Sequence, residues 1–161
     1  MPNSHQGCCV VSARVNKGNH LRLSQEQKLN LSRNILTFLY ALESLSDKGL
    51  FTETLSIYAT DLAKAFPEIQ PRTASNWFQA IFGNRAERTS KPYIITASLA
   101  VSTVQRHFLL EEVWLPTHAQ ITSCQKTLLG CQKRRLDAEQ TAMRRQRATQ
   151  VLRRVRKLAN V

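Results

Sequence analysis

The sequence predicts a mainly α protein, a helical core followed by a long basic C-terminal helix. Three observations carry this. Apolar residues recur at helical spacing from residue 24 onward. Glycine and proline number only five each in 161 residues, too few for a turn-rich β-sandwich. Between Thr117 and Ala159 there is no proline, and Gly130 is the sole poor helix former. A hydrophobic content of 42% suffices to bury one core.

The elements follow in order. Residues 1–23 mix polar, small and apolar types without a period and read as a flexible arm, with a short strand around Cys9–Val11 as an option. Ser24 with Gln27 three residues later is a capping box, each side chain able to satisfy the other's backbone donor. Leu31, Ile35, Phe38, Leu42 and Leu45 then form one apolar helical face, widened by Leu36 and Leu39, and Lys48 and Gly49 supply a stop. This predicts a helix over 25–48. The segment 50–58 reads as a short strand around Leu55 and Ile57. Thr60 is expected to cap a second helix, 61–66, with Asp61 where the helix dipole favours an anion, and Pro67 to end it. Pro71 opens a third helix that runs to Phe82 and stops at Gly83. Tyr93–Thr96 is a β-branched and aromatic run that predicts a strand. A fourth helix is expected over 98–115, packing Val101, Val104, Phe108 and Leu115, with Pro116 as its breaker. The organisation is thus an arm (1–23), a helical core (24–116) and a basic helical tail (117–161), the tail as one long helix or a pair.

Charge divides the chain. It carries 23 Lys and Arg against 11 Asp and Glu, a net charge of +12. Residues 1–23 hold three bases and no acid, and residues 24–119 hold nine of each. Residues 120–161 hold eleven bases against Asp137 and Glu139, a net of +9 in 42 residues. Such a segment points toward a polyanion. No stretch approaches the roughly 18 apolar residues of a membrane span, and no apolar block marks a secretory signal, so the expectation is a cytoplasmic protein without a membrane partner. Cys8, Cys9, Cys124 and Cys131 follow no disulfide-framework spacing, in keeping with a reducing compartment. Cys124 and Cys131, seven residues apart, would lie roughly 10 Å apart along one helix. One zinc ion cannot span them at bond lengths of about 2.3 Å, and buried seam positions suit them better. The four histidines build no metal or catalytic motif, and no glycine-rich loop is present to cradle phosphate. No catalytic residue, cofactor or metal is predicted.

The segment from Ala59 to Phe82, ATDLAKAFPEIQPRTASNWFQAIF, is the most informative. Leu62, Ala63 and Phe66, then Pro71-Arg72-Thr73, Ala74 and Trp77, resemble the helix-turn-helix of bacterial DNA-binding regulators. In such motifs a small residue stands where the two helices cross, the place Ala63 takes here. Pro67-Glu68 occupies the position of a single turn residue, so the turn is one residue longer than the usual pattern. The resemblance covers about 24 of 161 residues and implies a sequence-specific DNA-binding regulator of transcription or replication, of bacterial, phage or plasmid origin.

The third helix supports this from its own residues. Ala74, Trp77, Phe78 and Ile81 make an i, i+3, i+4, i+7 apolar face, and Arg72, Ser75, Asn76 and Gln79 make the same pattern about 200° around the helix. Arginine suits guanine O6 and N7, and Asn or Gln suits adenine N6 and N7, in the major groove. These four are the candidate base readers. Lys64, together with Arg85, Arg88 and Lys91 in a stretch (85–97) able to form a small β-wing, are candidate phosphate contacts. So are Arg134, Arg135, Arg144, Arg145, Arg147, Arg153, Arg154 and Arg156 of the tail, where Arg134, Arg145 and Arg156 recur every eleven residues on one side. The partner expected is nucleic acid, DNA ahead of RNA, with the C-terminal helix also a candidate for self-association or a protein partner. Two other readings stay open: an RNA-binding subunit of a ribonucleoprotein led by the arginine-rich helix, and a structural protein whose helix docks on an acidic partner.

Overall fold

The computed structural model describes residues 23–46, 52–88 and 91–160. Within them the order is α1 (Gln25–Ser44), β1 (Thr54–Ile57), α2 (Ala59–Ala65), α3 (Pro71–Phe82), β2 (Glu87–Arg88), β3 (Tyr93–Thr96), α4 (Ala97–His107) and α5 (His118–Ala159). The chain is mainly helical with one small antiparallel sheet. The arm, apart from Leu23, and the expected stop at Lys48 and Gly49 lie outside the described residues.

Helix α1 starts as its sequence predicts. Ser24 Oγ accepts from the Gln27 amide at 3.1 Å, and Gln27 Oε1 accepts from the Ser24 amide at 2.9 Å. It ends at Ser44, earlier than expected, where the backbone tightens to i→i−3 bonds, Leu45 N to Leu42 O at 3.1 Å and Ser46 N to Glu43 O at 3.0 Å, and serine hydroxyls add to its last carbonyls. Ser44 Oγ donates to Tyr40 O at 3.0 Å and Ser46 Oγ to Glu43 O at 2.7 Å. Helix α2 opens at Ala59 behind Tyr58 as N-cap, with no side chain capping it, so Thr60 lies inside the helix rather than at its cap. Helix α3 has the predicted bounds. Gly83 ends it in ordinary right-handed geometry (φ −49°) and is needed for space, since a Cβ there would strike Gln79 O and sit 2.9 Å from Gln79 Nε2.

Helix α4 is shorter than expected, stopping at His107 instead of near Leu115. The cause is a Schellman motif that no glycine announces. Leu110 N donates to Gln105 O (3.0 Å) and Leu109 N to Arg106 O (3.2 Å), with Leu109 at φ 53°. The strained residue is 84% exposed, while Leu110 turns back to pack on the core. Helix α5 runs unbroken through Gly130 for 42 residues, roughly 63 Å. Thr117 and Gln120 form a second capping box at its start (3.2 and 2.8 Å).

The sheet has strand order β1-β3-β2, antiparallel throughout. Leu55 faces Ile95 and Ile57 faces Tyr93, while Glu87 faces Ile94 and Arg88 faces Tyr93. The buried positions, Leu55, Ile57, Tyr93 and Ile95, share one face by strand alternation and close the core from below. Phe78 of α3 sits at the centre. Its ring lies 6.0 Å from Phe38 of α1, 5.4 Å from Phe82 and 6.0 Å from Tyr93 of β3, the last two edge to face. One side chain thus joins α1, α3 and the sheet. Phe78→Ala should lower stability by about 3–5 kcal/mol, seen in urea titration as a lower midpoint with unchanged slope.

Candidate nucleic-acid interface

Burying one face of α3 decides what its other face shows. With Ala74, Trp77, Phe78, Ile81 and Phe82 turned inward, Arg72, Ser75, Asn76 and Gln79 are all exposed. Trp77 fixes the helix's rotation about its axis by stacking on Phe108 at 5.4 Å and meeting His107 edge to face at 6.0 Å. The turn before α3 is held by Ile69, buried at 7%, whose amide bonds Phe66 O at 2.8 Å. Glu68 accepts from Asn34 Nδ2 of α1 at 3.2 Å. These contacts give the longer turn a defined shape.

The four base-reading candidates are not equivalent. Arg72, Ser75 and Asn76 have no side-chain hydrogen bond among those described. Gln79 is engaged: its Oε1 accepts from Tyr93 Oη at 3.0 Å, and Tyr93 Oη accepts from Arg88 Nη1 at 2.8 Å. Arg88 Nη1 also approaches Gln79 Oε1 at 3.4 Å, and its guanidinium carbon lies 4.5 Å from the Tyr93 ring centre. The hydroxyl of a buried tyrosine thus bonds two exposed side chains and couples the end of α3 to the β2–β3 hairpin. Sequence reasoning missed Tyr93 as part of this surface. Its strand position was legible, but its polar tip was not. Arg85, Arg88 and Lys91 are exposed on and around that hairpin.

The tail arginines divide into two groups. Arg135, expected at phosphate, instead binds Asp61 of α2 in a fork, Nη1 to Oδ1 at 2.8 Å and Nη2 to Oδ2 at 2.6 Å. Its guanidinium lies 3.9 Å over the Tyr58 ring. Asp61 is only 4% exposed, and a buried carboxylate requires such a partner. Its role at the helix dipole is thus joined by a larger one. Arg135 is correspondingly removed from the phosphate candidates, and the bond to Asp61 pushes its pKa up. Lys64 is exposed but borders the cleft that Arg134 and Arg135 share with Thr60 and Cys131, so it belongs with α5 rather than α3. From Leu136 to Asn160 every residue is exposed, among them Arg144, Arg145, Arg147, Arg153, Arg154 and Arg156.

Cys124 and Cys131 lie buried in the docked half of α5 with Leu128. Burial, then the nearby Cys131, pushes the Cys124 thiol up to about 12. Cys131 is raised by burial first and by Asp61 next. Both are held as neutral seam residues rather than nucleophiles. Among the described residues no group of His, Cys, Asp and Glu is arranged to hold a metal, and no helix is long and apolar enough to cross a membrane. Compared with protein-family models, curated proteins and solved structures, the chain finds no match in any of the three. The functional reading therefore rests on the geometry.

Two outcomes follow. Arg135→Ala should cost about 3 kcal/mol by leaving Asp61 buried and unpaired. The Asp61→Ala, Arg135→Ala double variant should cost less than the sum of the singles, measured by a denaturation cycle. For Cys124 the folded pKa is raised, so the unfolded chain loses this proton first as pH increases. Stability should be complete below the ordinary thiol value of 9.0 and fall between there and about 12, at up to about 1.4 kcal/mol per pH unit. Cys124→Ala should flatten that slope in thermal melts.

Proposed function

We propose that this chain is a sequence-specific DNA-binding protein that regulates transcription or replication, working in the cytoplasm. The observation that carries the reading is the exposed row on α3 joined through Tyr93 to the β2–β3 hairpin. The order helix, strand, helix, helix, strand, strand, with β1 paired to β3, resembles the winged form of the helix-turn-helix. In this reading α3 enters the major groove, whose donor and acceptor pattern distinguishes all four base pairs. Arg72, Ser75 and Asn76 read base edges. Gln79 reads through its amide nitrogen or orients Arg88, since its oxygen is already occupied. Arg85, Arg88 and Lys91 contact flanking phosphates from the hairpin, and the free arginines of α5 supply sequence-independent attraction.

DNA is favoured over RNA for α3 because the major groove of A-form RNA is too deep and narrow for such a helix to read. The exposed arginine-rich half of α5 gives the RNA reading its one support, and the same experiment addresses both. Binding sites are selected from random DNA and RNA pools, and affinities for selected and random duplexes are compared. Asn76→Ala should lose about 1–3 kcal/mol of discrimination with nonspecific binding intact. Arg145→Ala with Arg156→Ala should weaken all duplexes alike and reduce the salt slope by about 2. Unchanged preference in Asn76→Ala would refute base reading by α3. Selection of structured RNA alone would transfer the function to α5.

A further inference from the structure

The exposed half of α5 is not uniformly polar. Leu136, Met143, Val151, Val155 and Leu158 are all more than half exposed. At 100° per residue they fall within a sector of about 120°. Five large apolar side chains lie along this sector over some 34 Å of helix, interleaved with Arg144, Arg147 and Arg154. The described residues leave this row uncovered.

The row is symmetric about Arg147. Met143 and Val151 lie four residues to either side, and Leu136 and Leu158 lie eleven to either side. We infer that α5 pairs with α5 of a second copy, antiparallel, on a two-fold axis through Arg147. In that register Leu136 meets Leu158 of the second copy and Met143 meets Val151 of the second copy, each contact occurring twice. Glu139 and Lys157 both lie about 80° to the same side of Arg147, so Glu139 comes beside Lys157 of the second copy on one flank of the pair. Residues 136, 147 and 158 repeat every eleven positions, a period that winds neighbouring helices into a gentle right-handed supercoil. Eight matched apolar side chains, four from each copy, form the centre of the pair.

Charge selects the direction. No acidic residue follows Glu139, while residues 144–157 carry seven bases. A parallel pair would lay that whole cluster against its own copy, whereas the antiparallel pair keeps only Arg144, Arg145 and Arg147 of the two copies close together and sets Arg153, Arg154, Arg156 and Lys157 against the stretch that holds Asp137 and Glu139. Arg145 and Arg156 lie about 150° from the centre of the row and remain outward, so pairing leaves them free for phosphate. On the axis itself Arg147 meets its own copy.

The test uses the full chain without nucleic acid, by sedimentation equilibrium up to about 100 μM. A dimer is expected, tighter at high salt because each exposed segment is net positive. Met143→Glu with Val151→Glu should weaken it at least about 100-fold, whereas Leu152→Glu, apolar but off the row, should leave it intact. With Cys8 and Cys9 replaced by serine, Arg147→Cys alone should form a covalent dimer on mild oxidation. Met143→Cys alone should not, but should do so when mixed with Val151→Cys. A monomer of unchanged far-UV helicity at the highest concentration overturns the inference. So does a dimer that survives Met143→Glu with Val151→Glu, or one in which Met143→Cys cross-links to itself as readily as Arg147→Cys. None of these readouts involves α3, so the outcome is separate from that of the DNA-binding test.

Discussion

Phe78 is the constraint on which the arrangement depends. Its ring is shared by α1, α3 and β3 through Phe38, Phe82 and Tyr93, so the rotation of α3 is set from inside the core. A helix is a rigid cylinder, and fixing its inner face fixes its outer one. Trp77 adds a second point of fixation against the end of α4. The exposed row from Arg72 to Gln79 is therefore positioned by packing, without a loop or bound partner to organise it. Tyr93 extends that control to the hairpin, because the same ring that packs on Phe78 sends its hydroxyl to Gln79 and Arg88.

The second organising contact is ionic. A buried aspartate in a seven-residue helix would be costly alone, and Arg135 satisfies both oxygens while covering Tyr58. This couples the fold of α2 to the docking of α5, and with Leu128 and Cys124 it makes the first half of α5 part of the core. The C-terminal excess of positive charge thus contains one arginine used internally and others left at the surface.

Much of this was legible in the residues, and the failures share a cause. Local chemistry announced itself: the Ser24–Gln27 box, Pro71 at the start of α3 and the β-branched run at Tyr93 all lie where the sequence places them. The Thr117–Gln120 box carried the same signature as the first and marks the start of α5 equally well. What the sequence left unstated were contacts between residues far apart along the chain. Nothing near Arg135 distinguishes it from Arg134, because the carboxylate it binds is 74 residues away. Gln79 looked free because Tyr93 is 14 residues on. The early end of α4 depends on Leu109 adopting a backbone conformation usually left to glycine, which no reading of propensities anticipates.

Gly130 has a mechanical consequence. It lies inside the docked half of α5, with Cys124 and Leu128 before it and Cys131 and Arg135 after it, so the weakest point of the helix is clamped on both sides. The exposed half then leaves the body as a stiff lever whose root is gripped. A lever some 35 Å long turns a rotation of about 5° at its base into roughly 3 Å at its tip. Small adjustments of the Asp61–Arg135 clasp would be magnified there, and whatever engages the far arginines can in turn apply torque to α2 and, through it, to the turn that leads into α3.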